Sequence, residues 1–173
     1  MKRLLLLLIL LCIGGEARSY AQSIKLPAEC KKILNNTFRG WELASIKKEI
    51  NDYHRKMKFS FAPNLVKGDW NGDGKIDYAV LIKKGRLKNS QGEVIGDPRF
   101  TLLFVKTKKS FKSFRFEGSD YIHLMKKGTK DYDYKTNKTF RYKNDTVFDG
   151  FWEKGGVSYV WKNGKFLKIV TSD

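Results

Sequence analysis

From Asn64 onward the chain consists of short segments rich in Val, Ile, Phe, Tyr and Thr, separated by Gly, Asn, Asp and Lys. Such segments, at intervals that suit tight turns, are typical of strands in an antiparallel meander. The pattern predicts nine strands, at residues 65–69, 77–83, 99–106, 111–116, 121–126, 139–143, 146–152, 157–162 and 165–171.

Two local patterns refine this prediction. Asn163-Gly164 lies between two β-rich segments, which indicates a two-residue hairpin with a type I′ turn. The segments 78–82 and 101–105 are apolar without alternation, which indicates central strands that are covered on both faces.

The segment before residue 60 has helical periodicity instead. Pro27 suits a first helical turn, Asn35-Asn36-Thr37 ends the segment, and Ile46, Ile50, Tyr53 and His54 then repeat at helical spacing. Two short helices are predicted. We therefore expect a single α+β domain, mainly an antiparallel sheet meander, with the N-terminal helices packed on one face.

The first 21 residues have the features of a signal peptide. A basic start at Lys2 and Arg3 precedes an apolar run over residues 4–13, and Ser19 and Ala21 are the small residues that signal peptidase requires. The run is shorter than the roughly 20 residues of a membrane span. Cleavage after Ala21, or alternatively after Ala17, would leave a domain at residues 22–173 in the periplasm or outside the cell.

Export would leave a basic chain with one cysteine. The whole sequence of 173 residues carries a net charge of +17, and the part from Gln22 onward retains 32 positive and 17 negative side chains, for a net charge of +15. Cys30 cannot form an internal disulfide once Cys12 is removed. It lies on a helical stripe with Leu26, Ile33 and Leu34, which favours a buried core position over a reactive thiol or an intermolecular disulfide.

One short segment concentrates acidic residues within this basic chain. Oxygen-bearing side chains fall at positions 1, 3, 5 and 9 of a loop, with glycine at position 6, which is the spacing of a calcium-binding loop. The predicted ligands are the side chains of Asp69, Asn71, Asp73 and Asp77 and the backbone carbonyl of Lys75. We call residues 69–77 the acidic turn. Strands rather than helices flank it, and Val80 stands where an EF-hand has its bidentate Glu.

The acidic turn resembles the calcium-binding turns of FG-GAP and VCBS repeats, in which Asp-x-Asp-x-Asp-Gly-x-x-Asp joins two β-strands. The resemblance covers residues 64–82 and occurs once, so it implies the calcium turn and not a propeller. More broadly, the chain is similar to small exported bacterial proteins that combine Phe38-x-Gly40-Trp41, this turn and an ending like residues 161–166. That similarity implies the architecture alone.

Other interpretations of the turn remain open. Asn71-Gly72 and Asp73-Gly74 are ordinary turn formers, and the site could also hold another divalent cation. If calcium binds, we expect a structural role, because a filled coordination shell leaves no activated water.

The sequence gives little support for catalysis. His54 and His123 fall in a helical stripe and a strand, outside any metal or nucleophile motif, and we expect both to be structural. The sequence contains no Walker loop, Gly-x-Ser-x-Gly or His-Glu-x-x-His. We therefore expect a non-enzymatic protein, with an unidentified hydrolase as the least favoured alternative.

Residues 106–116, which we call the Lys/Phe run, interleave bases with aromatics. Such a surface can hold phosphates and stack on rings. The predicted polyanion-binding residues are Lys106, Lys108, Lys109, Lys112, Phe114 and Arg115. Export makes nucleic acid a poor partner, which leaves anionic polysaccharide, lipid head groups or an acidic protein surface. The alternative is that the phenylalanines pack inward and the lysines are solvated.

Overall fold

The computed structural model describes residues 24–59 and 61–172, so the predicted signal peptide lies outside the described residues. The fold is mainly antiparallel β-sheet with two short helices, as the sequence predicts. In chain order the elements are α1 (Ala28–Thr37), β1 (Glu42–Leu43), α2 (Lys48–Lys56), β2 (Leu65–Gly68), β3 (Asp77–Lys83), β4 (Leu87–Lys88), β5 (Val94–Gly96), β6 (Arg99–Lys106), β7 (Phe111–Glu117), β8 (Tyr121–Met125), β9 (Lys130–Asp133), β10 (Lys138–Arg141), β11 (Thr146–Phe151), β12 (Gly155–Lys162) and β13 (Lys165–Ser172).

Two antiparallel sheets form the body of the protein. The first has the order β1-β3-β6-β7, with β2 also paired to β3. The second has the order β13-β12-β11-β8. The predicted hairpin is confirmed: Lys162 pairs with Lys165, and Asn163 and Gly164 both have positive φ, at 51° and 79°, as a type I′ turn requires.

A small hairpin interrupts each meander. The β4–β5 hairpin lies between β3 and β6, and the β9–β10 hairpin lies between β8 and β11. The sequence pattern misses β1, β4, β5 and β9, and its strand at residues 139–143 begins one residue after β10 and ends two residues after it.

The core lies between the sheets and continues on the far side of the first sheet. Ala79 and Leu81 of β3 face the second sheet, where they join a buried cluster with Ile122 and Val147. Val80 and Ile82 lie on the opposite face of β3 and pack against α1. The prediction that β3 is covered on both faces is therefore confirmed.

The two helices do not share one face, which corrects the prediction. α1 packs Cys30 and Leu34 on the outer face of the first sheet. α2 instead places His54 against Tyr121 and His123, which alternate along β8 with the core residue Ile122. α2 therefore lies on the outer face of the second sheet. Helical periodicity predicts that each helix buries a stripe, but it carries no information about which sheet receives it.

Cys30 is fully buried, as its place in the helical stripe predicts. Burial raises the pKa of its thiol to about 12. The thiol is therefore protonated at neutral pH, and the reactive-thiol interpretation is not supported.

Among the helices of residues 24–59 and 61–172, none is long and apolar enough to cross a membrane.

Candidate functional site

The acidic turn connects β2 to β3 at one end of the sandwich. Its tight path depends on Gly72 and Gly74, whose φ angles of 78° and 79° lie in the left-handed region. Glycine adopts this region without a Cβ penalty. The left-handed conformation predicted for Gly74 is confirmed.

Side-chain oxygens of the turn cap its own backbone. The Asp69 carboxylate accepts hydrogen bonds from the backbone N–H groups of Gly72, Asp73 and Gly74, at 2.8, 3.1 and 2.8 Å. The Asn71 side-chain oxygen accepts from Asp73 N–H at 3.1 Å. The turn therefore folds around the Asp69 carboxylate.

Asp73 has a cation beside it within the turn. Its carboxylate accepts from the backbone N–H of Lys75 and from the Lys75 ammonium, each at 3.0 Å. These hydrogen bonds hold the pKa of Asp73 below its usual value. The Lys75 ammonium thus occupies part of the space in which a metal ion would compete for Asp73.

Asp77 is the buried anchor of the turn. Its side chain is fully buried and accepts hydrogen bonds from the backbone N–H of Trp70 at 2.9 Å and of Lys106 at 2.7 Å. Burial raises the pKa of Asp77 to about 6, with smaller contributions from the charges of Asp69 and Asp73, while the two N–H groups oppose the rise. Asp77 thereby ties the turn to the end of β6.

The turn also reaches the second sheet through the connection between β10 and β11. The Asn144 amide donates to the carbonyl of Trp70 at 3.1 Å, and Asp145 accepts from the backbone N–H of Asp69 at 3.4 Å. Trp70 is fully buried, and a Cβ on Gly68 would lie 2.4 Å from its ring. The acidic turn therefore joins both sheets at this end.

The predicted ligand side chains keep acceptor sites that the hydrogen bonds of the turn do not use. A carboxylate offers about four acceptor sites. Asp69 uses three of these for N–H groups, whereas Asp73 and Asp77 use two each. Within the residues that the structure describes, no group of three or more His, Cys, Asp or Glu side chains already converges as a metal site. The donor chemistry suits calcium, provided that Lys75 moves away and the side-chain oxygens turn inward.

The Lys/Phe run does not form one surface. Phe114 faces the core between the sheets, where its ring packs against Trp161 and Phe166. Arg115 projects from the opposite face of β7 over the rings of Phe38 and Phe100. The predicted stacking role of Phe114 is therefore not supported by its position.

The lysines of the run have different surroundings. Lys106 forms an ion pair with Glu29 at 3.1 Å and lies over the Phe111 ring. Lys108, Lys109 and Lys112 are exposed near the β6–β7 turn. These three remain accessible to an anionic partner, and the Lys112 ammonium lies over the Phe114 ring, 5.0 Å from its centroid.

A second basic surface lies outside the residues that the sequence predicts to bind polyanions. A groove of about 610 Å³ lies between β10 and the outer face of β12 and β13. Its floor contains Val160, Leu167 and Ile169. Four basic side chains (Lys138, Arg141, Lys143 and Lys162) and one acidic side chain (Asp133) line it. We call it the basic groove.

Comparison of the chain with models of protein families, with curated proteins and with solved structures gave no match.

Proposed function

We propose that this protein is exported, is not an enzyme, and binds Ca²⁺ in the acidic turn to stabilise the junction between its two sheets. The observation that carries the proposal is the double attachment of the turn. Asp77 holds it to β6, while Asn144 and Asp145 hold it to the second sheet. A cation that holds the carboxylates of the turn in place should therefore stabilise contacts on both sides of the sandwich.

Electrostatics supports the need for a cation. Asp69, Asp73 and Asp77 place three carboxylates within nine residues, and Lys75 is the one basic side chain among them. Charges a few ångströms apart interact by about 1 kcal/mol in water and by more where solvent is excluded. Asp77 is fully buried, so its repulsion from the other two is poorly screened. A divalent cation would remove that repulsion.

The experiment compares thermal unfolding in a calcium chelator with unfolding in millimolar calcium. A ligand at 100 times its dissociation constant adds about 2.7 kcal/mol to the free energy of unfolding. For a domain of this size, we expect the midpoint to rise by roughly 5–10 °C. Calorimetry should show one bound Ca²⁺.

Asp73→Ala should abolish this rise, because it removes a ligand. The matched control is Asp133→Ala, since Asp133 is a half-buried residue at the end of β9 whose carboxylate also accepts backbone N–H groups, from Lys135 and Thr136. The control should keep the full calcium response. Equal midpoints in chelator and in calcium, with no heat of binding, would show that the acidic turn binds no calcium.

The basic groove favours a second function, the binding of anionic envelope polymers or lipid head groups. Lys138, Lys143 and Lys162 are exposed along it and, among the described residues, none of them forms an ion pair. The Arg141 guanidinium donates to the carbonyl of Gly128 at 2.8 Å, so the three lysines supply the free charge. The apolar floor suits a sugar ring or an acyl chain beside the anion.

A polyanion column separates this groove from the Lys/Phe run. Substituting Lys138, Lys143 and Lys162 together by Gln should lower the salt concentration needed for elution from heparin, because it removes three charges that attract the polyanion. Salt weakens this attraction by shortening the screening length from about 10 Å at 0.1 M to about 3 Å at 1 M. The matched control is the triple substitution of Lys108, Lys109 and Lys112 by Gln, which removes the same charge. Equal effects would mean that binding follows net charge alone, and a larger effect of the control would assign binding to the Lys/Phe run.

A further inference from the structure

The two histidines of the described chain lie together, although 69 positions separate them in the sequence. His54 projects from α2 and His123 from β8, and their ring centroids are 5.7 Å apart with the planes at 89°. Phe59 and Tyr121 pack around them. The pair lies outside both the acidic turn and the basic groove.

His54 is an unexplained polar residue. It is only 5% exposed, and neither ring nitrogen has a hydrogen-bond partner within the described residues. The backbone of Phe61 lies close to the His54 ring and slightly raises its pKa, but this contact does not have the geometry of a hydrogen bond. Buried polar atoms nearly always have a partner. A ring whose two nitrogens find no partner among the described residues therefore indicates a ligand from outside them.

The surroundings of both rings favour the neutral imidazole. Burial lowers the pKa of His54, and burial together with the neighbouring His54 lowers the pKa of His123 to about 4. A neutral imidazole offers a nitrogen lone pair to a metal ion. Both rings are therefore in the protonation state that coordination requires.

A third donor lines the same space. A cavity of about 310 Å³ beside β8 is lined by His54, His123 and Met125. Met125 follows His123 by two positions on β8, so both side chains project from the same face of the strand. The nearby Asp131 lines an adjoining cavity, but its carboxylate accepts a hydrogen bond from the Tyr142 hydroxyl. The available donors are thus two imidazoles and one thioether.

We propose that His54, His123 and Met125 form a binding site for Cu(I). A thioether is a soft ligand that selects Cu(I), and imidazole also suits copper. With metal–nitrogen bonds of about 2.0–2.1 Å, two imidazoles on one ion have centroids roughly 6 Å apart, close to the 5.7 Å observed. Structural zinc sites take four ligands from Cys, His and carboxylates, and the lining of this cavity includes neither a carboxylate nor a thiol.

The charges around the cavity favour a monovalent ion. Lys58 and Lys126 line it, and both repel a cation. Lys126 is held by Asp145 at 3.2 Å, which offsets part of its charge. A dication would meet about twice the repulsion of a monocation at the same place. The site should therefore prefer Cu(I) to Zn²⁺ or Ni²⁺.

The test is anaerobic titration of Cu(I), kept reduced by ascorbate, against a chromophoric Cu(I) chelator. The protein is the full chain without a histidine tag, carrying Cys12→Ser and Cys30→Ala so that no thiol competes. We expect one Cu(I) per chain. His54→Phe and His123→Phe should each weaken binding about 100-fold, because changes around a metal site that leave its ligands in place already cost 10–100-fold.

Met125→Leu should weaken binding by about tenfold, since the two imidazoles remain, and would raise the preference for Zn²⁺. The matched control is Met57→Leu, because Met57 is half exposed at the end of α2, outside the cavity lining. It should bind copper like the parent. Thermal unfolding of each variant without metal checks that the fold is retained.

X-ray absorption of the copper-loaded parent keeps the proposal testable if a histidine variant fails to fold. It should show two nitrogen ligands and one sulfur ligand. No retained Cu(I), equal affinity in the His→Phe variants, or tighter binding of Zn²⁺ than Cu(I) would each overturn the proposal. None of these results bears on calcium, because the acidic turn shares no residue with this cavity.

Discussion

Replacing Phe114 by Ala separates a packing role from a binding role for the Lys/Phe run. The Phe114 ring makes edge-to-face contacts with Trp161 and Phe166, with centroids 5.5 and 5.1 Å away. Truncating a fully buried Phe to Ala costs about 3–5 kcal/mol. This cost includes the lost interactions with neighbouring aromatic rings, about 0.5–1.5 kcal/mol for each pair. Phe114 is only partly buried, so we expect a loss of about 2–3 kcal/mol in the free energy of unfolding.

That loss should lower the thermal midpoint by roughly 5–10 °C in a domain of this size. The measurement is thermal unfolding followed by circular dichroism, together with elution from a heparin column well below the midpoint. The matched control is Phe151→Ala, because Phe151 is 51% exposed and should change the midpoint little. An unchanged midpoint in Phe114→Ala with a clear loss of heparin binding would refute the packing argument and restore the stacking role.

Two further predictions concern charge. Lys75→Met should raise the calcium affinity, measured by calorimetry, about five- to tenfold. The substitution removes a cation that lies 3.0 Å from Asp73, and the interaction of two such charges in water is about 1 kcal/mol. Unchanged affinity would mean that Lys75 does not compete with calcium. Burial raises the pKa of Asp149 above 3.8, so its stabilising contribution is complete below that pH and is lost as pH rises through the raised pKa. In urea unfolding, Asp149→Asn should therefore gain stability relative to the parent as the pH rises above 3.8 and through the raised pKa, and parallel profiles would contradict this.

The sequence predicts the elements whose signals are local. The two-residue turn at Asn163-Gly164 and the left-handed Gly74 follow from the conformations that these residues allow. The strands with continuous apolar segments are found for the same reason. By contrast, β9 has the sequence Lys-Asp-Tyr-Asp with no apolar face. The position of β9 depends on a hydrogen bond that the Tyr142 hydroxyl donates to the Asp131 carboxylate. The Tyr142 hydroxyl also contacts the Ser158 hydroxyl.

Sites built from distant segments escape this kind of prediction. The acidic turn is visible in the sequence because its capping hydrogen bonds join residues no more than five positions apart. The aromatics of the Lys/Phe run do not share one surface, because Phe111 and Phe114 differ by an odd number of positions and so lie on opposite faces of the strand. His54 and His123 meet only because α2 crosses to the second sheet.

The unequal covering of the two sheets explains where ligands should bind. On the first sheet, α1 fits Cys30 and Leu34 against the strands with no exposed surface on either residue. On the second sheet, the outer face is shared by the nine-residue α2 and the four-residue strands of the β9–β10 hairpin. These short elements leave the cavity lined by His54 and His123 at one side and the basic groove at the other. Because concave sites with a few convergent polar groups are where ligands bind, we expect the second sheet to carry recognition, while the acidic turn fixes that sheet to the first.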